Sequence, residues 1–249
     1  MAAINQNTKA VLLVGGLGTR LRSVVSSAPK TLAPVGEKSF LELLVRQLRD
    51  QGIRHLVMCT GYLADQVEKE FGDGRGLDVS IEYSKESQPM GTGGALKLAQ
   101  QYLQDVPGFL VMNGDSFMQM DFHELLSFHQ KQGGVASMAV RRVENADRYG
   151  TVQMDAEKKV TAFLEKTGDK RPGIVNAGVY YFDKSVLQQI PEGASSLEKD
   201  LFPRLLASGI YAIEQQGIFI DIGTPEDYAR AQQISDRLYE AASLKQSVK

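Results

Sequence analysis

The chain has no tryptophan, one cysteine and three histidines among its 249 residues. A single cysteine, Cys59, cannot close an internal disulfide, and three scattered histidines make no zinc pattern with it. Cys59 sits in the apolar run His55–Thr60, which marks it as core filler. No apolar run approaches the length of a membrane span, and the polar segment Met1–Lys9 lacks the apolar stretch of a signal peptide. No membrane association is expected, and a cytoplasmic location is the simple inference. A dominant charge is missing too: 28 Lys and Arg against 30 Asp and Glu leave a net charge of −2. Such a balance gives no reason to expect a nucleic-acid polymer as partner, although cations can still gather in a local phosphate site. Repeats, low-complexity segments and linkers are absent as well. At this length, with 43% hydrophobic residues, a single domain over residues 1–249 is expected.

What the chain does have is a glycine-rich turn. An apolar strand, Lys9–Val14, empties into Gly15, Gly16 and Gly18, followed by Arg20 and later by Pro29-Lys30. Glycines let backbone N–H groups approach an anion closely, and Arg and Lys add positive charge. A polyphosphate suits that combination. The lysine-ended P-loop does not fit, and the dinucleotide fingerprint is only half matched, since Thr19, Arg20 and Leu21 follow Gly16-Leu17-Gly18.

The run Gly15-Gly16-Leu17-Gly18-Thr19-Arg20-Leu21, with Pro29-Lys30 and Leu32-x-Pro34-Val35, resembles the signature of the sugar-phosphate nucleotidyltransferases (NDP-sugar pyrophosphorylases). Within that family the chain is most similar to the short bacterial D-glycero-α-D-manno-heptose 1-phosphate guanylyltransferases. The resemblance covers roughly residues 9–235. It implies an α/β, Rossmann-like three-layer α/β/α (GT-A-like) fold. A nucleotide-binding part over about 9–135 would be followed by a smaller, strand-rich sugar-phosphate part over about 136–235. The C-terminal β-helix of some relatives is not expected. Homo-oligomers occur in the family, but no apolar stripe here predicts an interface.

The residue pattern agrees with an α/β order. Strands are expected at Lys9–Val14, Arg54–Thr60, Val79–Tyr83 and Phe109–Met112. Helices are expected at Phe40–Gln51, Ala64–Phe71, Gly94–Tyr102 and Asp121–Gln132. Strands separated by helices imply a mostly parallel sheet covered on both faces. The second half is richer in strands, at Val135–Arg141, Thr151–Met154, Val160–Leu164 and Val179–Phe182. Ser195-Ser196-Leu197-Glu198 has the form of a capping box opening a helix to about Leu206. Thr224-Pro225-Glu226-Asp227 should open the final helix, to about Leu238.

The reaction implied joins a nucleoside triphosphate to a sugar 1-phosphate and releases pyrophosphate. Its nucleophile is already an anion, so the protein must supply placement and neutralisation rather than a strong base. Asp115 follows a predicted parallel strand, at the edge where ligands of open α/β sheets gather. Asp221 is a lone acid in an apolar strand before a helix, which calls for a metal or a cationic partner. The family places Mg²⁺ between two aspartates matching these positions, and Mg²⁺ takes one or two carboxylates plus phosphate oxygens and water. By the same resemblance, Arg20 grips the leaving phosphates and Lys30 reaches the α-phosphate. Leu13, Gly15, Gly16, Gly18, Thr19, Gly91 and Thr92 complete the nucleotide site. Gly114, Glu165, Lys166, Asn176 and Gly178 match the sugar-phosphate site, although Thr167 stands where the family has a proline after Glu-Lys.

Base recognition falls on Glu86-Ser87-Gln88-Pro89-Met90-Gly91-Thr92. Thymidylyl and uridylyl relatives carry a glutamine near Glu86. Guanine presents two donors side by side, and a carboxylate accepts both in a fork. Glu86 therefore argues for GTP, and the resemblance for a manno-heptose 1-phosphate as acceptor. Mannose 1-phosphate with GTP, or an amino-sugar 1-phosphate with UTP, would use the same chemistry. A glycosyltransferase using NDP-sugars is disfavoured because Asn113-Gly114-Asp115-Ser116-Phe117 lacks an Asp-x-Asp. A non-catalytic sensor is disfavoured because Lys30, Asp115 and Asp221 are all present. His55, His123 and His129 have no nucleophile in a recognisable arrangement and are given no catalytic role.

Overall fold

The structure is a computed structural model that describes residues 4–16, 18, 21, 28–164 and 170–243. Strand β1 (Lys9–Leu13) lies between β4 (His55–Thr60) and β6 (Gly108–Asn113), parallel to both, with Val11 opposite Val57 and Val111. On the far side of β4, the parallel strand β5 (Ser80–Lys85) completes the four-stranded core. Ala10, Val11 and Leu12 are fully buried, as expected for strands covered on both faces.

Alternate residues of β1 feed two apolar cores. Ala10, Leu12 and Val14 face Leu44 and Leu48 of helix α1 (Phe40–Asp50) and Val67 of α2 (Ala64–Phe71). The same core takes Leu125 of α4 (Phe122–Gln132), Tyr228 of α6 (Pro225–Gln233) and Leu238 of α7 (Ser235–Ala242). Val11 faces the other way, toward Leu96 of α3 (Gly91–Leu98) and Phe202 and Leu205 of α5 (Phe202–Ser208). Three layers result. Among the described residues no helix is long and apolar enough to cross a membrane.

The second half extends the sheet. Strand β11 (Gly173–Asp183) runs antiparallel to β6 along one edge and to β8 (Ala136–Val143) along the other. It also meets β9 (Thr151–Met154), which pairs with β10 (Val160–Leu164). Strand β12 (Ile210–Glu214), not expected from the sequence, adds to β8 in parallel. Strand β11 is much longer than the expected Val179–Phe182, because two neighbours hold its first half, which contains the polar Asn176, in the ladder. Its register against β8 shifts between Asn176 and Tyr180, where Gly178 has φ +75°. A β-bulge of this kind re-aims side chains, here Asn176.

Three short elements position the site. The hairpin of β2 (Pro34–Val35) and β3 (Lys38–Ser39) follows Lys30. Its carbonyls are held by α6 and α7, with Tyr228 donating to Pro34 O at 2.6 Å and Tyr239 to Val35 O at 2.7 Å. Strand β7 (Ser116–Met118) pairs antiparallel with β13 (Phe219–Asp221), setting Asp221 opposite Ser116.

The helix expected from Gly94 starts three residues earlier, at Gly91, and tightens into a 3-10 segment over Ala99–Leu103. Ser195 explains the early start: its carbonyl accepts the N–H groups of Gly93 at 2.8 Å and Gly94 at 3.2 Å. It is therefore not the cap of the following helix. That role falls to Ser196, whose hydroxyl accepts from Glu198 and Lys199, and the turn Leu197–Leu201 is π-helical before α5 begins. The last helix expected is broken at Ile234 into α6 and α7.

Candidate active site

Four parallel strands end on one side of the sheet, and each delivers a site residue there: Gly15 after β1, Gly61 after β4, Glu86 after β5 and Asp115 after β6. Ligands of open α/β sheets bind at this carboxyl edge. Two cavities lie along it. The first, of about 410 Å³, is lined by Leu13, Gly15, Gly16, Gly18, Glu86, Gly91 and Thr92. The second, of about 570 Å³, is lined by side chains of the antiparallel half, among them Arg148, Thr151, Asn176, Glu198 and Asp221. Lys30, Asn113, Asp115 and Gly223 line both.

In the first cavity Glu86 is packed against glycines. A Cβ at Gly61 would collide with its carboxylate, and one at Gly15 would stand 3.0 Å from Oε1. The Met90 N–H donates to Glu86 Oε2 at 3.1 Å. Burial pushes the Glu86 carboxyl above its usual range, and the Met90 N–H partly offsets this. Cys59 is core, as expected, but it also touches this cavity; burial, then the Glu86 charge, raises its thiol far above the usual range. Thr31 Oγ1 and Asn113 Oδ1 are buried with no hydrogen-bond partner among the described residues, and both residues line the first cavity. Orphaned acceptors beside a cavity are what a polar ligand would satisfy.

At the shared wall, Lys30 Nζ lies 2.7 Å from Asp115 Oδ2 and 3.8 Å from Asp221 Oδ1. The pairing of β7 with β13 causes this meeting, sealed by Ile222 N–H donating to Asp115 O at 3.0 Å. Asp221 also accepts from Gly223 N–H at 2.6 Å, and a Cβ at Gly223 would stand 2.8 Å from the same oxygen. Burial, then the charge of Asp115, raises the Asp221 carboxyl above its ordinary range, against the pull of Lys30. The cationic partner and the paired carboxylates expected from the sequence thus occur together. Among the described residues no three His, Cys, Asp or Glu side chains gather into a metal cage.

The second cavity holds Asn176, whose Oδ1 accepts from Gly178 N–H at 2.9 Å and whose Nδ2 donates to Tyr180 OH at 2.7 Å. Among the described residues the second amide hydrogen has no acceptor, which leaves it to a ligand. Gly178 itself lines neither cavity: a Cβ there would press on Asn113 at 3.0 Å, so the glycine admits that side chain. Gly114 is needed for close packing as well, since a Cβ would stand 2.6 Å from Val14 Cγ1 and 2.8 Å from Leu13 O. Thr19, Arg20, Glu165 and Lys166 lie outside the described residues. The sequence reading missed Asn113, Arg148, Glu198 and Lys199, all of which line the second cavity. The run Arg148-Tyr149-Gly150 before a strand was an available signal. Arg148 reaches Thr224 Oγ1 at 3.0 Å and Asp227 Oδ2 at 2.9 Å, tying β9 to the first turn of α6.

Comparison with known proteins bears on this geometry. The chain is 40% identical over 225 residues to a mannose-1-phosphate guanylyltransferase of Mycobacterium tuberculosis, covering 89% of this chain and 62% of that protein. It is 36% identical over 228 residues to a mannose-1-phosphate guanylyltransferase catalytic subunit beta of Drosophila pseudoobscura pseudoobscura, with coverages of 90% and 62%. The chain thus spans less than two thirds of these relatives' length. Among solved structures, HddC from Yersinia pseudotuberculosis complexed with GMP-PN is 31% identical with a TM-score of 0.81, covering 91% of this chain and 98% of that one. A Bacillus anthracis structure described as a glucose-1-phosphate thymidylyltransferase has the same TM-score at 22% identity over 92% of this chain and 95% of that one, a likeness of fold alone. The nucleotidyl transferase family model matches residues 9–237, and the chain belongs to that family.

Proposed function

We propose that the protein is a guanylyltransferase that joins GTP to a manno-configured sugar 1-phosphate, releasing pyrophosphate and leaving a GDP-sugar. The observation that carries this reading is the wall shared by the two cavities, where Lys30 and Asp115 face both. A donor triphosphate in the first cavity and an acceptor phosphate in the second would meet there. An oxygen of the sugar phosphate attacks the α-phosphorus in line, the bond from that phosphorus to the bridging β-oxygen breaks, and the electron pair leaves with pyrophosphate. No proton has to be removed from the nucleophile. Lys30 neutralises charge on the α-phosphate and offsets the repulsion between the two polyanions. Arg20, by family resemblance, holds the departing phosphates.

Asp115 and Asp221 fit the Mg²⁺ of the family: hard oxygen donors, two in number, beside space for phosphate oxygens. Bound between them, the ion would supply further neutralisation of the phosphates. The raised carboxyl of Asp221 is a group that a cation would relieve.

Glu86 supports GTP, since its carboxylate lines the first cavity and, among the described residues, no donor reaches its Oε1. GMP-PN in the HddC structure agrees with this choice. For the acceptor, D-glycero-α-D-manno-heptose 1-phosphate is the reading from the sequence, in service of surface polysaccharide. The similarity to mannose-1-phosphate guanylyltransferases favours mannose 1-phosphate as the second reading. Pyrophosphate release, measured for four NTPs against a set of sugar 1-phosphates, tests both. GTP with a manno-configured sugar is expected to lead; UTP ahead of GTP by about tenfold, or 1.4 kcal/mol, would overturn the base assignment.

A further inference from the structure

The second cavity holds a carboxylate that the transfer step does not use. Glu198 lies on the turn Leu197–Leu201, and both it and the preceding Ser196 line the cavity. Its Oε2 accepts from Ser196 Oγ at 2.9 Å and from Thr92 Oγ1 at 3.3 Å. Each hydroxyl is oriented by what it accepts. Ser196 Oγ takes the N–H groups of Glu198 and Lys199, both at 3.2 Å. Thr92 Oγ1 takes the N–H of Leu197 at 2.8 Å. Each therefore turns its single proton to the carboxylate.

Glu198 is thus fixed by neutral hydroxyls on one oxygen, and among the described residues no donor reaches the other. A phosphate would be repelled there, and among the described residues no further carboxylates gather with it as a metal cage. A sugar hydroxyl, a neutral donor, matches. The neighbours agree: the Tyr180 phenol, which Asn176 holds at 2.7 Å, is close enough to feel the Glu198 charge.

We propose that Glu198 is a specificity residue, whose free carboxylate oxygen accepts a hydrogen bond from a ring hydroxyl of the sugar 1-phosphate. Thr92, which lines the first cavity, is then a positioning residue for Glu198, with its hydroxyl proton committed to that carboxylate. This assignment rests on the transferase reading above.

The test is steady-state kinetics of Glu198→Gln with mannose 1-phosphate and its mono-deoxy analogues, alongside calorimetric titration of GTP alone. The expected result has three parts. KM for the sugar phosphate rises about tenfold, and GTP binding stays within about twofold, which also shows that the variant is folded. One deoxy analogue, lacking the partner hydroxyl, is used equally by wild type and variant. A uniform loss across every analogue, or weakened GTP binding, would overturn the assignment of Glu198. A wild-type chain that turns over no sugar 1-phosphate would overturn the transferase reading instead.

Discussion

The two cavities are built by different means. The first is framed by backbone at the ends of parallel strands, with Gly15, Gly16, Gly18 and Gly91 opening space and Glu86, the carboxylate it does not share with the second cavity, giving it chemical character. The second is framed by side chains from β9, β11, β13 and the turn before α5, brought together across long stretches of sequence. A backbone cradle accepts any polyphosphate, so the choice of base rests on few groups. A side-chain cavity spreads the choice of sugar over many. Changes in the first cavity should therefore act on nucleotide use, and changes in the second on sugar use.

The wall between the cavities should show the largest effect, since it serves both. Lys30→Met is expected to lower kcat by about 10³-fold while shifting KM for GTP less than about threefold. The reverse split would make Lys30 a binding residue only. Next in size, Gly61→Ala places a methyl against the Glu86 carboxylate. It should raise KM for GTP about thirtyfold and leave KM for the sugar phosphate alone. An equal rise in both would break the separation of the two cavities.

Glu86→Gln should cost about tenfold in kcat/KM with GTP and narrow its lead over UTP. The pH dependence follows from the raised carboxyl of Glu86. Guanine binds the ionised form, so affinity for GTP should be full above the raised pKa and fall as pH drops through it; titrations of the Gln variant should be flat over the same range.

The smallest effect concerns stability. The folded-state carboxyl of Asp221 is raised above its unfolded value. Its ionisation therefore opposes folding above that pKa, and the penalty fades as pH falls through it. Asp221→Asn should raise Tm by about 2 °C at pH 8, with the gain vanishing in acid, while activity is lost. A lowered Tm at pH 8 would mean that the contact with Lys30 outweighs burial.

The same contrast explains what could be read in the sequence. The parallel core was legible because each strand and helix is local and periodic, as with Ala64–Phe71, which matches residue for residue. The first cavity was legible for a related reason: its glycines and Glu86 sit in contiguous runs. The second half was read less well. Strand β11 was cut short because the polar Asn176 is strand only through its neighbours β8 and β9. Glu198 was hidden inside a capping pattern, and its part in the cavity depends on Thr92, 106 positions away. Gly114 and Gly178, read as ligand contacts, also make room for neighbouring chain segments, which their spacing did not show. Such roles depend on tertiary approach, which spacing does not carry.

The central claim is that base and sugar lie in separate cavities joined at Lys30 and Asp115. A crystal structure with a GDP-sugar bound tests it most directly. The account predicts guanine against Glu86, the sugar against Asn176 and Glu198, and the diphosphate beside Lys30. Guanine in the second cavity, or a sugar that never meets Asn176, would contradict it.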